Sequence, residues 1–329
     1  MTNASDTAQP AKPSRPPVNV SRILQRYGTI AILVVLVIVA ASMSNVFLTE
    51  RNILNVLRQI SGSSLMAVGM LFVILTRGID LSVGSVAALG SVVSAILIPQ
   101  YGTGLSVAAA LLAGAACGAG AGILVAYLKL PPFVTTLAVM TIARGASMIF
   151  SGGQPIVMGE SGAAMTAFGS GSLASIPYPV LLMAVVFLIA GTVLMFTRYG
   201  RLVKAIGSNS EAVRLSGIPV AGYIMSVYVI SGVLAAAAGM ISSSRTGVGS
   251  ANIGVGAELD AIAAVVIGGA SLMGGRGGAF NTFIGVIVLG IIANMMNLAR
   301  VPGYHQQVFM GCIIIGAMLL QYASNWLRK

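Results

Sequence analysis

The chain has 329 residues, 57% of them hydrophobic and only 8% charged, where a soluble domain carries roughly 25% charged residues. That deficit excludes a water-soluble globular domain and leaves the bilayer as the solvent for most of the chain. The net charge of +11, from 18 Lys+Arg against 7 Asp+Glu, could suit nucleic acid, but the cations sit singly between apolar runs, as membrane insertion selects in connecting loops.

Residues 1–20 are rich in Pro, Ser, Thr and Ala without apolar periodicity, and are expected to form a disordered cytoplasmic tail. The run from Tyr27 to Val46 is of spanning length. Ala40-Ala41-Ser42 faintly resembles a signal-peptide cleavage site, but the polar leader is long, so an uncleaved first helix is expected. Further spans are expected at 54–76, 81–98, 104–128, 132–150, 179–197, 219–242, 259–275, 279–297 and 306–326, since about 20 apolar residues cross a bilayer. Runs of this length are helices, because barrel strands need only about 9–11 residues of alternating polarity. The fold class is therefore an all-α polytopic membrane bundle of about ten transmembrane helices, with residues 21–329 as one membrane domain.

Lys and Arg set the orientation. With the N-terminus inside, 13 of the 18 Lys+Arg, including Arg77, Lys129, Lys204, Arg214, Arg328 and Lys329, fall in cytoplasmic segments, and 5 do not: Arg51, Arg58, Arg144, Arg245 and Arg300. Both termini are thus expected in the cytoplasm. Gly114, Gly118 and Gly122 recur every fourth residue, which puts them on one helix face where another backbone can approach. Cys117 and Cys312 lie in apolar runs and are expected to be buried structural thiols.

Two connections stand out. Residues 151–178 form a long Gly/Ser-rich stretch, expected outside. Residues 198–218, RYGRLVKAIGSNSEAVRLSGI, form the longest basic segment, expected inside. In the second, Ser208 and Glu211 are spaced as a capping box, and Gly217 with Pro219 supplies a stop. A helix over 209–216 follows, with Ala212 and Leu215 on one face. Such a helix between spans either docks on a partner or lies on the bilayer surface.

This stretch resembles the cytoplasmic coupling loop of ribose/xylose-type ABC permeases, a family that also holds the branched-chain amino-acid permeases. RGIDLSVGS (77–85), KLPPFVTTLAVMTIARG (129–145) and the segment 258–298, beginning ELDAIAAVVIGG, resemble the same family in the same order. The family often has Gly where this chain has Ser208 and Ala where it has Val213. The resemblance implies an ABC importer architecture. Two permease subunits, identical or sister chains, would sit over two ATPase subunits that bind ATP and Mg²⁺, and a periplasmic sugar-binding protein would deliver the solute. Gly207, Ser208, Glu211, Ala212, Leu215 and Gly217 would then form the ATPase-coupling loop. It also implies a multi-pass protein of the bacterial inner membrane, with no nucleic-acid partner.

The residues agree with that division of labour. The chain has no G-x-x-x-x-G-K-[ST] loop, and the Gly-rich run at 268–278 lacks the Lys-Ser/Thr ending. No metal-ligand spacing or nucleophile–base pair occurs, and His305 is the one histidine. No cofactor is therefore expected in this chain. Arg77 and Asp80, three apart, could pair, and Asp80 could instead cap the helix after it or touch substrate. Arg144, Glu258 and Asp260 also fall in or beside spans. A neutral sugar needs hydrogen-bonding groups, and Asp80, Thr135, Thr136, Asn281, Asn294 and Asn297 are the candidates for the translocation path. Polar residues gluing helices together are the alternative for each. Another small polar solute (a branched-chain amino acid, a nucleoside, an autoinducer) is the alternative cargo, and a secondary transporter the alternative mechanism.

Overall fold

A computed structural model describes residues 20–326. The expected N-terminal tail lies outside them except for Val20, which already belongs to a helix, and so do Arg328 and Lys329. The chain runs through α1 (Val20–Met43), α2 (Glu50–Leu75), α3 (Val83–Ala126), α4 (Pro132–Ser151), β1 (Ile156–Val157), α5 (Ala163–Ser170), β2 (Ser172–Leu173), β3 (Ile176–Pro177) and α6 (Tyr178–Phe196). It continues through α7 (Arg198–Ser208), α8 (Ser210–Leu215), α9 (Val220–Thr246), β4 (Val248–Gly249), α10 (Ala257–Ile267), α11 (Ala279–Leu298) and α12 (Gly303–Trp326). Among the described residues, six helices are long and apolar enough to cross a membrane: α2, α3, α4, α6, α9 and α11.

The 44 residues of α3 are two helices folded at Gly102, which has the non-helical dihedrals φ 74° and ψ 169° just after Pro99. Proline removes a helical N–H and glycine tolerates positive φ, so 83–101 and 103–126 are two helical segments, close to the expected 81–98 and 104–128. The expected span 259–275 is corrected. Helix α10 has 11 residues, about 16 Å at 1.5 Å per residue, and covers only half a bilayer. The run 268–278 is irregular, with Gly269, Gly274 and Gly275 at positive φ.

At the centre of the bundle α9 packs between α3 and α2. Leu65, Met70, Leu71, Val73, Ile74 and Leu75 of α2 are fully buried. The expected glycine face of α3 is there, and α9 lies on it: a Cβ on Gly114, Gly118 or Gly122 would strike the backbone of Gly232, Tyr228 or Met225. The outer faces of α1, α4 and α6 carry exposed Val35, Ile38, Ile142, Ile149, Leu188 and Phe196, the surface that lipid covers. Cys312 is exposed on α12 and Cys117 half-buried on α3, so neither thiol is the fully buried one expected.

The stretch 151–178 is more ordered than a Gly/Ser loop. It holds α5, the two-residue hairpin β2–β3, and β1, which pairs antiparallel with β4. Helix α6 leads directly from this face to α7 and α8 at its other end. The two long connections therefore lie on opposite faces.

Candidate functional site

On the α7/α8 face, α7 is amphipathic. Thr197 caps it by accepting from the Gly200 amide at 3.1 Å, and Gly200, Val203, Ile206 and Gly207 are buried. That burial carries α7 as far as Ser208 and shifts the cap of the next helix. Ser208 is the last residue of α7, its hydroxyl donating back to the Lys204 carbonyl at 3.1 Å. Asn209 caps α8 instead, from extended backbone, with its Oδ1 accepting from the Ala212 amide at 3.0 Å. The expected Ser208–Glu211 capping box is thus replaced. Glu211 forks with Arg214, at 2.5 Å and 2.9 Å. That guanidinium holds the Glu211 carboxyl below the usual carboxylate range. Gly217, at φ 80°, ends the segment as predicted. The helix is shorter than expected, Ser210–Leu215, and no residue of it is buried. Ala212 is exposed, and Leu215 is 74% exposed.

Beneath α8 three segments meet. Of the alternatives for Arg77 and Asp80, the ion pair does not form. Arg77 takes a left-handed backbone, φ 66°, and turns to the end of α7. Its Nε donates to the carbonyls of Gly207 (2.6 Å) and Met273 (2.9 Å), and its Nη2 to that of Ser208 (2.7 Å). Charge-assisted bonds of this kind are the stronger ones. The Gly275 amide donates to the Leu75 carbonyl at 3.0 Å, satisfying a helix-end acceptor of α2 that would otherwise be orphaned. Gly207 has to be glycine at this junction, because a Cβ there would overlap the Leu75 oxygen and the Gly275 nitrogen. The end of α7, the 76–82 break and the 268–278 loop are thus one clasp.

The break continues inward. Asp80 is 1% exposed. Its Oδ1 accepts from the Ser82 amide (3.0 Å) and hydroxyl (2.6 Å), and its Oδ2 from the Ser231 hydroxyl of α9 (2.7 Å). It therefore braces Ser82, the residue before α3, instead of capping the helix itself, and ties that residue to α9. Thr136 Oγ1 lies 3.2 Å from the Ile79 carbonyl oxygen and 2.9 Å from that of Pro132. Thr135 is buried, its hydroxyl without a hydrogen-bond partner among the described residues.

The three asparagines divide. Asn294 and Asn52 are buried and exchange two amide hydrogen bonds, at 3.0 Å and 2.9 Å, between α11 and α2. Asn297 accepts from Gln306 at 2.9 Å, joining α11 to α12. Asn281 is exposed and lines a groove of about 780 Å³ between α6 and α11, among Phe187, Met195, Phe280 and Phe283. The structure therefore does not bring the six path candidates together: Asp80 and Thr136 hold the break, and Asn294 and Asn297 join helices. Sequence reasoning missed the clasp. The signal available was that RGID, AIGSNS and LMGGRGG are the Gly-containing segments flanking the apolar runs on one side of the bundle.

Similarity to known proteins covers nearly the whole chain. The sequence model of a family described as branched-chain amino acid transport system / permease component matches residues 52–318. The ribose import permease protein of Escherichia coli (strain K12) is 42% identical over 301 residues, which is 91% of this chain and 94% of that protein. That of Bacillus subtilis (strain 168) is 39% identical over 299 residues, 91% of this chain and 93% of that protein. The D-allose transport system permease protein of Escherichia coli (strain K12) is 38% identical over 308 residues, 92% and 94% of the two chains. No solved structure matches at comparable significance.

Proposed function

The chain belongs to the branched-chain amino acid transport system / permease component family, and from that premise we propose that it is the membrane-spanning permease subunit of an ABC sugar importer. Relatives whose names specify ribose and D-allose, at 38–42% identity over nine-tenths of the chain, favour a monosaccharide over an amino acid. The structural observation that carries the reading is α8: a capped helix with no buried residue, an exposed Leu215, and the clasp directly behind it. An apolar side chain held out on a short rigid helix is an anchor for another protein.

In this reading α8 docks in a groove of an ATPase subunit that binds ATP and Mg²⁺, and the α7/α8 face is cytoplasmic in the bacterial inner membrane. The 13-to-5 division of Lys+Arg supports that orientation. A second permease subunit completes the path, and a periplasmic binding protein loads it from the α5 face. The 76–82 break borders the path, held in shape by Asp80 and Thr136, since irregular backbone at bilayer depth survives only against protein or water. The test is reconstitution with the ATPase and binding protein of the same operon. Uptake of D-ribose, D-allose or L-arabinose should require ATP. Uptake driven by an ion gradient without ATP would establish a secondary transporter instead.

A further inference from the structure

Arg144 lies at the thirteenth position of the 20-residue α4, about 10 Å of helix from its end. The segment 250–256 descends beside it. Ser250 exchanges hydrogen bonds with Ser91 of α3, at 3.2 Å each way, and Gly254 lies against Gly84, about 25 Å along α3 from the fold at Gly102. One nitrogen of Arg144, Nη1, donates to the carbonyls of Ala251 and Ile253 (2.9 Å to the latter). Its Nε and Nη2 have no protein acceptor among the described residues.

Glu258 stands one turn further on, in the first turn of α10. Its carboxylate rests beside Gly84 at the start of α3, where a Cβ would overlap it, so the positive end of that helix faces the charge. Among the described residues it accepts no hydrogen bond, and no Lys or Arg nitrogen lies within the 4.0 Å of an ion pair. Arg144 and Glu258 nevertheless line one cavity, of about 440 Å³, together with Ser85, Thr141, Met140 and Met148. Asp260 leaves the opposite side of α10 and lines a separate, smaller space with Gln59 and Ser63.

Two opposite charges at bilayer depth that share a cavity without closing on each other are costly as structure. They suit a ligand that donates to one and accepts from the other. Adjacent hydroxyls of a polyol do both, and the two free donors of a guanidinium address two oxygens at once. On the reading of the chain as a sugar permease, we propose that Arg144, Glu258, Thr141 and Ser85 form a hydroxyl-binding subsite for a neutral polyol on the translocation path, and that this face of α4 and α10 therefore lines the path.

The test uses the permease–ATPase complex in proteoliposomes with its binding protein. First, ATP-dependent uptake of D-ribose, D-allose or L-arabinose by the unaltered complex checks the importer reading by itself, and its absence overturns that reading without bearing on the cavity. Second, in a chain carrying Cys117→Ser and Cys312→Ser, Thr141→Cys should react with a charged methanethiosulfonate and be protected by the transported sugar. Ile142→Cys, one residue away on the outer face and 69% exposed, should not react. Equal reactivity of the two, or none at Thr141→Cys, overturns the subsite. Third, Glu258→Leu should lower sugar transported per ATP hydrolysed at least about tenfold, and Glu258→Gln less, because a site built for hydroxyls is left with unmatched groups. Wild-type stoichiometry in Glu258→Leu overturns the proposal. If the Glu258 variants fail to accumulate, the labelling pair decides.

Discussion

Arg77 Nη2 donates to the carbonyl oxygen of Ser208 at 2.7 Å across 131 residues of sequence. Ser208 ends α7 and Arg77 opens the break that leads to Asp80, so this bond connects the exposed α7/α8 face to the buried start of α3. On the proposed reading, movement imposed on α7 and α8 would reach the break through this side chain and through the Gly275–Leu75 backbone bond.

Arg77→Ala removes all three clasp bonds, and Arg77→Lys keeps the charge but not the fork. Both variants are expected to assemble with the ATPase, because Arg77 lies behind α8 and not on it. Sugar moved per ATP hydrolysed should fall in the order wild type, Lys, Ala. Gly207→Ala should behave like Arg77→Ala, since its Cβ would push α7 off the end of α2. Simultaneous measurement of uptake and phosphate release decides, and a wild-type ratio in Arg77→Ala removes the clasp from the coupling route.

Asp80 distinguishes a structural carboxylate from an essential charge. Asp80→Asn keeps an oxygen for the Ser82 amide, and its new N–H₂ can donate to the Ser231 hydroxyl. Asp80→Leu takes the acceptor from the Ser82 amide, the Ser82 hydroxyl and the Ser231 hydroxyl, a cost of about 1–3 kcal/mol for each left unmatched. In detergent, Asp80→Asn should melt within a few degrees of wild type, and Asp80→Leu well below it or not accumulate. Normal melting with complete loss of uptake in Asp80→Asn would identify a required charge.

Asn52 and Asn294 form a reciprocal buried amide pair, and the structure reads them as helix glue. A double-mutant cycle with Asn52→Leu and Asn294→Leu should give a coupling of about 1 kcal/mol, in the range of interhelical hydrogen bonds in membranes. The double variant should recover much of the stability lost by either single one, because no amide is left alone. Uptake of the transported sugar should then match wild type at equal protein level. A transport defect that persists in the stable double variant would place Asn294 on the path.

What the sequence made legible follows from which groups carry the interaction. Gly114, Gly118 and Gly122 announce a close helix contact because their spacing is itself the geometry, and α9 lies where that spacing requires. The half-length of α10 was not legible, because 268–275, apart from Ser271, is built of Gly, Ala, Leu and Met and carries no charge to break the apolar run. Its end is set by Gly269, Gly274 and Gly275 at positive φ, within a loop held by Arg77 and Leu75. The cap of α8 moved from Ser208 to Asn209 because both residues can cap, and the burial of Val203, Ile206 and Gly207 extends α7 up to Ser208. The partners of Arg77 and Arg144 were hidden for a different reason: all are backbone carbonyls, which leave no mark on residue type.

The exposed helix gives the final prediction. Transfer of movement from an ATPase needs a rigid part to act on, and α8 is rigid for reasons that can be removed one at a time. Asn209→Ala removes the bond to the Ala212 amide and should fray the first turn, a loss of about 1 kcal/mol confined to the loop. Glu211→Ala removes only an exposed fork with Arg214, and surface pairs contribute little, so it should be the milder change. Ser208→Ala should be milder still, since Ser208 does not cap α8. Ala212→Trp leaves the helix intact but adds bulk to the face shared with Leu215, and should wedge a close protein contact apart by overpacking. None of the four should alter the melting of the bundle, because no residue of α8 is buried in it. Co-purification of the ATPase with sugar-stimulated ATP hydrolysis is the measurement. The expected order of defect is Ala212→Trp, Asn209→Ala, Glu211→Ala, Ser208→Ala. If Ala212→Trp keeps wild-type assembly and wild-type stimulated hydrolysis, α8 is a surface helix on the bilayer and the ATPase grips the chain elsewhere.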